Sequence, residues 1–231
     1  MRATCQTAFM TTHVEFWVDP ESPWCWVTAR WVVDQVAPQR DLHVTWQPIS
    51  LLFKNDPSPD SPYYARVVNT HRMLRVMEAI RADLGDDAVF PWYWQCGTRV
   101  HHDQDRDFDL AGALEHIGLD RSYADAADDE QWDAAIRAGM DRGLELVGAD
   151  VGTPIIAFTG GDGVKRGIFG PVITRVPDAG QSLKVWDAME AFTTMDGFWE
   201  LKRTRTEGPA VDPGTVVAET ESAADPAGSS D

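Results

Sequence analysis

Ser22-Pro23-Trp24-Cys25, directly behind Val14-Glu15-Phe16-Trp17-Val18-Asp19-Pro20, is the stretch on which the architecture turns. Val14 to Val18 crowds apolar residues on both faces, as a strand covered from two sides requires. Asp19-Pro20 stops it. Ser22 then offers a side-chain oxygen for a helix N-cap, and Pro23 suits the first helical position. The spacing predicts a helix from about Trp24 to Val36, ending before Pro38. Leu42, Val44 and Trp46 alternate with polar neighbours and mark a second strand ending near Pro48. A helix of crossover length between two strands implies a parallel pair with a right-handed connection.

Downstream, Asn55 to Pro62 is a loop rich in Pro, Ser and Asp. From Tyr63 to about Gly148 the pattern is helical. Val67, Leu74, Met77 and Ile80 follow a 3.6-residue period, as do Ala111, Leu114 and Ile117. Trp132, Ile136, Met140 and Leu144 form one stripe of a helix expected over Asp128 to Leu146. Sheet texture then returns with a strand at Pro154 to Phe158, a Gly160-Gly161-Asp162-Gly163 turn and a strand at Arg166 to Phe169, which together read as an antiparallel hairpin. A helix over Gln181 to Phe192 and a short one over Phe198 to Arg205 complete the pattern. The order β-α-β, helical insert, β-β-α is an α/β, thioredoxin-like arrangement with the all-helical insertion (about 60–150) of DsbA-like proteins. Residues 1–12 are expected to be a flexible lead-in, 13–205 the domain and 206–231 a disordered acidic tail.

The chain has 231 residues, 43% of them hydrophobic, enough to bury a full core without staples. Thirty-seven acidic residues against 20 basic ones give a formal net charge of −17. Such a field repels nucleic acid and anionic membranes, so neither is an expected partner. Cys5, Cys25 and Cys96 are too few to build a disulfide framework. Arg2, Thr4, Gln6 and Thr7 break any apolar run of the secretory kind, and no stretch reaches the length of a membrane helix. The expected compartment is the reducing cytoplasm.

Two local features carry chemistry. The opening turn of a helix leaves backbone N–H groups unpaired and adds roughly half a positive charge. A thiolate held there is stabilised and its pKa falls. Ser22-Pro23-Trp24-Cys25 occupies the place where a Cys-x-x-Cys pair stands in thioredoxin folds. Taken alone, Ser22 is an ordinary N-cap and Cys25 an ordinary helix residue. The second feature, Val151-Gly152-Thr153-Pro154, precedes a strand after the insert, which is the place of the cis-proline loop in this fold. It would turn the Thr153 backbone toward the first helix, so that it can pair with an extended thiol substrate.

The chain resembles the mycothiol-dependent nitroreductases, a branch of the DsbA-like oxidoreductases. The resemblance lies in Phe16 to Pro20, Pro23 to Trp31, Ser50-Leu51, Gly97 to His101, Asp150 to Pro154, Phe169 to Val172 and Glu200 to Glu207, and it runs from about residue 13 to 208. It implies a cytoplasmic enzyme that takes electrons from mycothiol and passes them to disulfides or small reducible electrophiles; the residues themselves give no expectation of a metal or nucleotide. It also implies ligand-binding roles for Trp24, Asn55 and a tyrosine that maps onto Tyr64 or, less directly, Tyr63. Pro23, Thr153, Pro154 and His101 complete the expected thiol site.

One departure matters. The family pattern has cysteine where this chain has Ser22, and a serine hydroxyl cannot replace a thiolate in disulfide exchange. Cys25 therefore lacks an internal partner, and Cys96 or Cys5 could serve only within about 6 Å, Cα to Cα. Three readings stay open. Cys25 forms a mixed disulfide with mycothiol, or Ser22 orients the thiolate of a bound thiol as in kappa-type glutathione transferases and 2-hydroxychromene-2-carboxylate isomerases, or the cleft binds without catalysis. His101-His102 lacks a companion cluster at metal-ligand spacing, so these read as cleft or surface histidines. Lys202, Arg203 and Arg205 read as a basic helix end, with binding of the thiol's far end as the sharper alternative. Gly160 to Gly163 lacks the lysine and following helix of a phosphate loop.

Overall fold

The computed structural model describes residues 11–213. Cys5, nearly all of the expected lead-in and the tail from residue 214 lie outside the described residues. Four strands form one sheet in the order β2-β1-β3-β4. They are β1 (Thr12–Val18), β2 (Leu42–Pro48), β3 (Ile155–Thr159) and β4 (Lys165–Phe169). β1 and β2 run parallel, in register from Thr12 opposite Leu42 to Val18 opposite Pro48. β3 pairs antiparallel with both β1 and β4, so the expected crossover and hairpin are both present.

β1 is central and covered on both sides, and its sequence shows why. Val14, Phe16 and Val18 face the larger core, where they meet Trp26, Trp46, Leu74, Met77 and Trp92. Trp17 points the other way, into a smaller cluster with Ile49, Met140, Ile155 and Ala157. Its indole nitrogen donates to the Gly139 carbonyl at 2.7 Å. A Cβ on Gly143 would stand only 2.7 Å from the same indole, so this glycine lets the helix approach the strand.

Helix α1 (Pro23–Arg30) continues as a π-helical stretch through Trp31–Val36, close to the expected span. After β2 comes the short α2 (Leu51–Asn55), and the insert holds α3 (Tyr64–Leu84), α4 (Val89–Gly97), α5 (Leu110–His116) and α6 (Asp133–Val147). Short 3₁₀ turns over Arg121–Asp128 and Glu130–Trp132 replace the first turns of the helix expected from Asp128. Asp129 caps the second of these turns through Gln131 N. α6 stops at Gly148, whose φ of 97° is open to glycine and strained for other residues. A buried chain ties the insert together: Ser50 Oγ to His71 Nδ1 at 2.9 Å, and His71 Nε2 to Asp133 Oδ1 at 3.0 Å.

α7 (Ala179–Thr194) packs its buried Trp186 against Phe158 and Trp31. The short helix expected over Phe198 to Arg205 does not form, and that stretch has no regular secondary structure. Trp199 is 88% exposed and Leu201 71%, so the segment has no apolar face to bury, and one or two isolated turns do not hold in water. Packing continues past the expected boundary at 205. Ala210 N–H donates to the Thr174 carbonyl at 2.7 Å, and Arg30 Nη1 donates to the Asp212 carbonyl at 3.0 Å. Among the described residues no helix is long and apolar enough to cross a membrane.

Candidate active site at the start of α1

Ser22 caps α1. Its backbone is extended (φ −76°, ψ 109°), and its Oγ accepts the Cys25 N–H at 3.2 Å. It is 7% exposed. Pro23 and Trp24 are half-buried beside it. Cys25, one turn in, is wholly buried. The hydroxyl of Thr153 lies 3.2 Å from Cys25 Sγ and 2.7 Å from the Trp17 carbonyl. The Thr153-Pro154 peptide is cis, as the loop's position predicts, and a second cis bond, Gly170-Pro171, had no sequence signal. Ser22 and Thr153 each contact Cys25, the first at its N–H and the second at its Sγ.

The electrostatics separate the two motif residues. Burial pushes the Cys25 thiol up to about 12, and the hydroxyls of Thr153 and Tyr93 only partly offset it. This thiol stays protonated at neutral pH. Cys96, in α4, is likewise buried and raised by burial, and neither cysteine is in a disulfide.

Two acids precede Ser22. Asp19 is fully buried and accepts the N–H groups of Glu21 at 2.8 Å and Leu51 at 2.7 Å. Burial pushes its carboxyl up to about 6 against those hydrogen bonds and one from Thr70. Glu21 is also buried, and its carboxylate is gripped by Arg66 of α3 and by Arg106, whose Nε lies 2.9 Å away. The Arg66 guanidinium stands 5.9 Å from the Tyr63 ring centroid. Tyr63 hydrogen-bonds Asn55, and burial together with Asp19 and Glu21 pushes its phenol up to about 12. Tyr63 is therefore the tyrosine joined to Asn55 and to the acids before the motif. Tyr64 opens α3, half-buried, with no such link.

His101 is buried and stacks on Trp26, ring centroids 5.8 Å apart. One ring nitrogen bonds the Pro20 carbonyl, and burial pulls its pKa down to about 3. Its Nε2 is buried without a partner. His102 turns away and accepts from Trp26 Nε1 at 3.2 Å. Among the described residues no group of three or more His, Cys, Asp or Glu is placed to hold a metal. Of the basic trio, Arg205 reaches the motif, its guanidinium 5.2 Å from the Trp24 ring centroid, while Lys202 and Arg203 are exposed.

Residues 21–203 match the family described as Rv2466c-like, mycothiol-dependent nitroreductase Rv2466c. The chain belongs to this family. The match begins one residue before Ser22 and takes in Thr153-Pro154, while Asp19 and Arg205 lie just outside it. Among curated proteins the chain is similar to the uncharacterized protein Rv2286c of Mycobacterium tuberculosis, 25% identical over 84% of this chain and 83% of that one. Solved structures with the same fold include a 2-hydroxychromene-2-carboxylate isomerase (TM-score 0.53, 15% identity, 78% of this chain and 95% of that one). Another is a probable DsbA oxidoreductase, SCO1869 of Streptomyces coelicolor (TM-score 0.51, 15% identity, 87% and 99%). The fold is thus DsbA-like, and within this nitroreductase family the chain carries serine at the head of its motif.

Asp19 makes a pH prediction. A carboxyl raised to about 6 in the folded state binds its proton more tightly than in the unfolded chain. Its contribution favours the fold below about pH 4 and is lost as pH rises toward 6. The difference in unfolding free energy between wild type and Asp19→Asn should move against wild type by about 2 kcal/mol between pH 4 and 7. Urea unfolding of both proteins across that range measures it, and parallel curves would contradict the assignment.

Proposed function

We propose that the chain reduces small electrophiles, nitroaromatics among them, with mycothiol, and that the thiolate of bound mycothiol is the nucleophile. The observation that carries this reading is the division of labour at the motif. The hydroxyl stands at the helix start, while the thiol is buried one turn in and pushed up to about 12. Ser22 Oγ spends an acceptor site on Cys25 N–H, and its own proton remains to be donated to a sulfur anion. The α1 N-terminus adds its partial positive charge at the same point.

The electron count is consistent with this arrangement. Two mycothiol thiols give up two electrons and two protons and leave as one disulfide. A nitro group takes them up and leaves as a nitroso group and water. Such chemistry needs a compartment with a reduced thiol pool, the cytoplasm. The resemblance gives Trp24 and Asn55 ligand-binding roles, Tyr63 hydrogen-bonds Asn55, and the cis Thr153-Pro154 peptide beside Cys25 supports reading that loop as the receiver of the thiol's backbone-like part.

A second reading shares the site. The same activated thiolate adds to an electrophilic carbon and leaves a thioether, as in kappa-type transferases. Ser22, without a partner thiol, suits either product. Turnover assays with mycothiol and a nitroarene, analysed by mass spectrometry, distinguish a disulfide from a conjugate. Neither product and no thiol binding would leave a non-catalytic cleft.

Cys25 provides the control. Cys25→Ser should keep kcat within about threefold, because a buried neutral thiol is not an attacking group. Intact mass after treatment with oxidised mycothiol should show no adduct on Cys25. A large loss of turnover together with such an adduct would restore the mixed-disulfide route.

A further inference from the structure

α2 is five residues long, too short to hold its turns unaided in water, yet it ends on Asn55. Its neighbours fasten it. Ser50, its N-cap, accepts the Phe53 N–H at 3.3 Å and lies 2.9 Å from His71 Nδ1 of α3. His71 Nε2 meets Asp133 Oδ1 of α6 at 3.0 Å, and Arg75 of α3 takes both oxygens of that carboxylate, at 2.7 and 3.0 Å. The Leu51 N–H donates to Asp19, which also takes a hydrogen bond from Thr70, the residue before His71. Phe53 packs on the His71 ring with centroids 4.4 Å apart, and the Arg137 guanidinium stands 3.6 Å from the Phe53 centroid. The order Ser-His-Asp is that of a hydrolytic triad, but Ser50 has no exposed surface, so no acyl group reaches its hydroxyl.

We infer that the Ser50–His71–Asp133–Arg75 chain is a positioning device: it sets the place of α2, and through α2 the place of the Asn55 side chain. The consequence for mycothiol rests on the proposed function, but the placement of Asn55 does not. The direction of each hydrogen bond follows from the groups present. The Asp133 carboxylate, paired with Arg75, can only accept, so it takes the Nε2 proton of His71. Burial lowers the His71 pKa, so the ring is neutral at pH 7 and its Nδ1 is an acceptor. Ser50 therefore donates to Nδ1 and keeps a lone pair for the Phe53 N–H. At the other end of α2, Asn55 hydrogen-bonds Tyr63, the N-cap residue of α3. α3 thus grips α2 twice, by His71 at its start and by Tyr63 at its end. Ser22 is held separately, through its N–H on the Asp19 carbonyl at 3.1 Å, so loosening α2 leaves the motif serine in place.

Steady-state kinetics and amide hydrogen exchange of the full chain test this together. Ser50→Ala should raise KM for mycothiol about tenfold and keep kcat within about threefold, the pattern of a lost binding contact and not of lost chemistry. The same substitution made in Asn55→Ala should change KM by less than about twofold, because it acts through a side chain already gone. Asp133→Asn should act in the same direction more weakly, since its amide oxygen still accepts from His71 but no longer pairs with Arg75 as a charge. In Ser50→Ala the amides of residues 53–56 should exchange about tenfold faster, with those of β1 and α7 unchanged. An unchanged KM, an equal rise in both backgrounds, or exchange that stays as in wild type or speeds evenly along the chain would overturn the assignment. If wild type shows no turnover with mycothiol, exchange decides alone: selective loosening of residues 53–56 keeps the positioning device and removes the proposed reduction.

Discussion

Replacing Ser22 by alanine should lower kcat for mycothiol-dependent reduction by roughly 100-fold, the usual cost of removing one preorganised donor from a developing or held anion. The argument is local. Cys25 is buried with its thiol pushed up to about 12, so under the proposed function the reacting sulfur comes from the cosubstrate. Its charge is then held by the Ser22 O–H and by the backbone at the start of α1. Alanine removes the first and leaves the second, so some turnover should survive. The variant also loses the cap on Cys25 N–H, worth about 1 kcal/mol, and should remain folded. Ser22→Cys is the informative reverse change. It places at the helix start the cysteine that the resemblance implies there, and iodoacetamide should find a reactive thiol with its pKa below the ordinary cysteine value. Turnover by Ser22→Ala within threefold of wild type would mean the hydroxyl is only a cap.

Glu21→Ala should destabilise the protein by roughly 2–4 kcal/mol. The Glu21 carboxylate is almost fully enclosed and holds two arginines from the helical insert against the loop that precedes Ser22. Removing it strands both guanidinium groups. The expected loss is below that of a wholly buried pair because Arg66 is about half exposed and can turn to water, while Arg106, at 23% exposure, cannot do so as freely. Urea unfolding measures the stability, and the same variant should lose turnover, since the motif loop loses its tie to the insert. A loss under about 1 kcal/mol would show that the two arginines are solvated on their own.

The sheet and the motif were legible in the sequence because both are written in local terms. Two-sided apolar crowding at Val14 to Val18, alternation at Leu42 to Trp46 and the Gly160 to Gly163 turn each correspond to a strand or hairpin in the structure. Ser22 as a cap follows from the same local chemistry. What lay beyond reading depends on contacts distant in sequence. The grip of Arg66 and Arg106 on Glu21 spans up to 85 residues, and nothing local to Arg106 announces it. A signal for part of it was present: Asp19 and Glu21 are two acids inside a strand-to-helix turn otherwise made of apolar and small residues. The short helix over Phe198 to Arg205 fails for a complementary reason. Its apolar residues suggest a buried face, but Trp199 and Leu201 meet solvent, and Arg205 reaches Trp24 from irregular chain instead. The choice between Tyr63 and Tyr64 turns on which side chain meets Asn55, and adjacent residues at a helix start differ only in direction.

The ionisation of mycothiol itself, followed by thiolate absorbance near 240 nm as pH is raised with and without excess protein, tests the account at its centre. The bound thiol should ionise one to two pH units below the free thiol, and Ser22→Ala should return most of that shift while Cys25→Ser should not. An unshifted thiol in the complex, or a shift that follows Cys25 instead of Ser22, would contradict it.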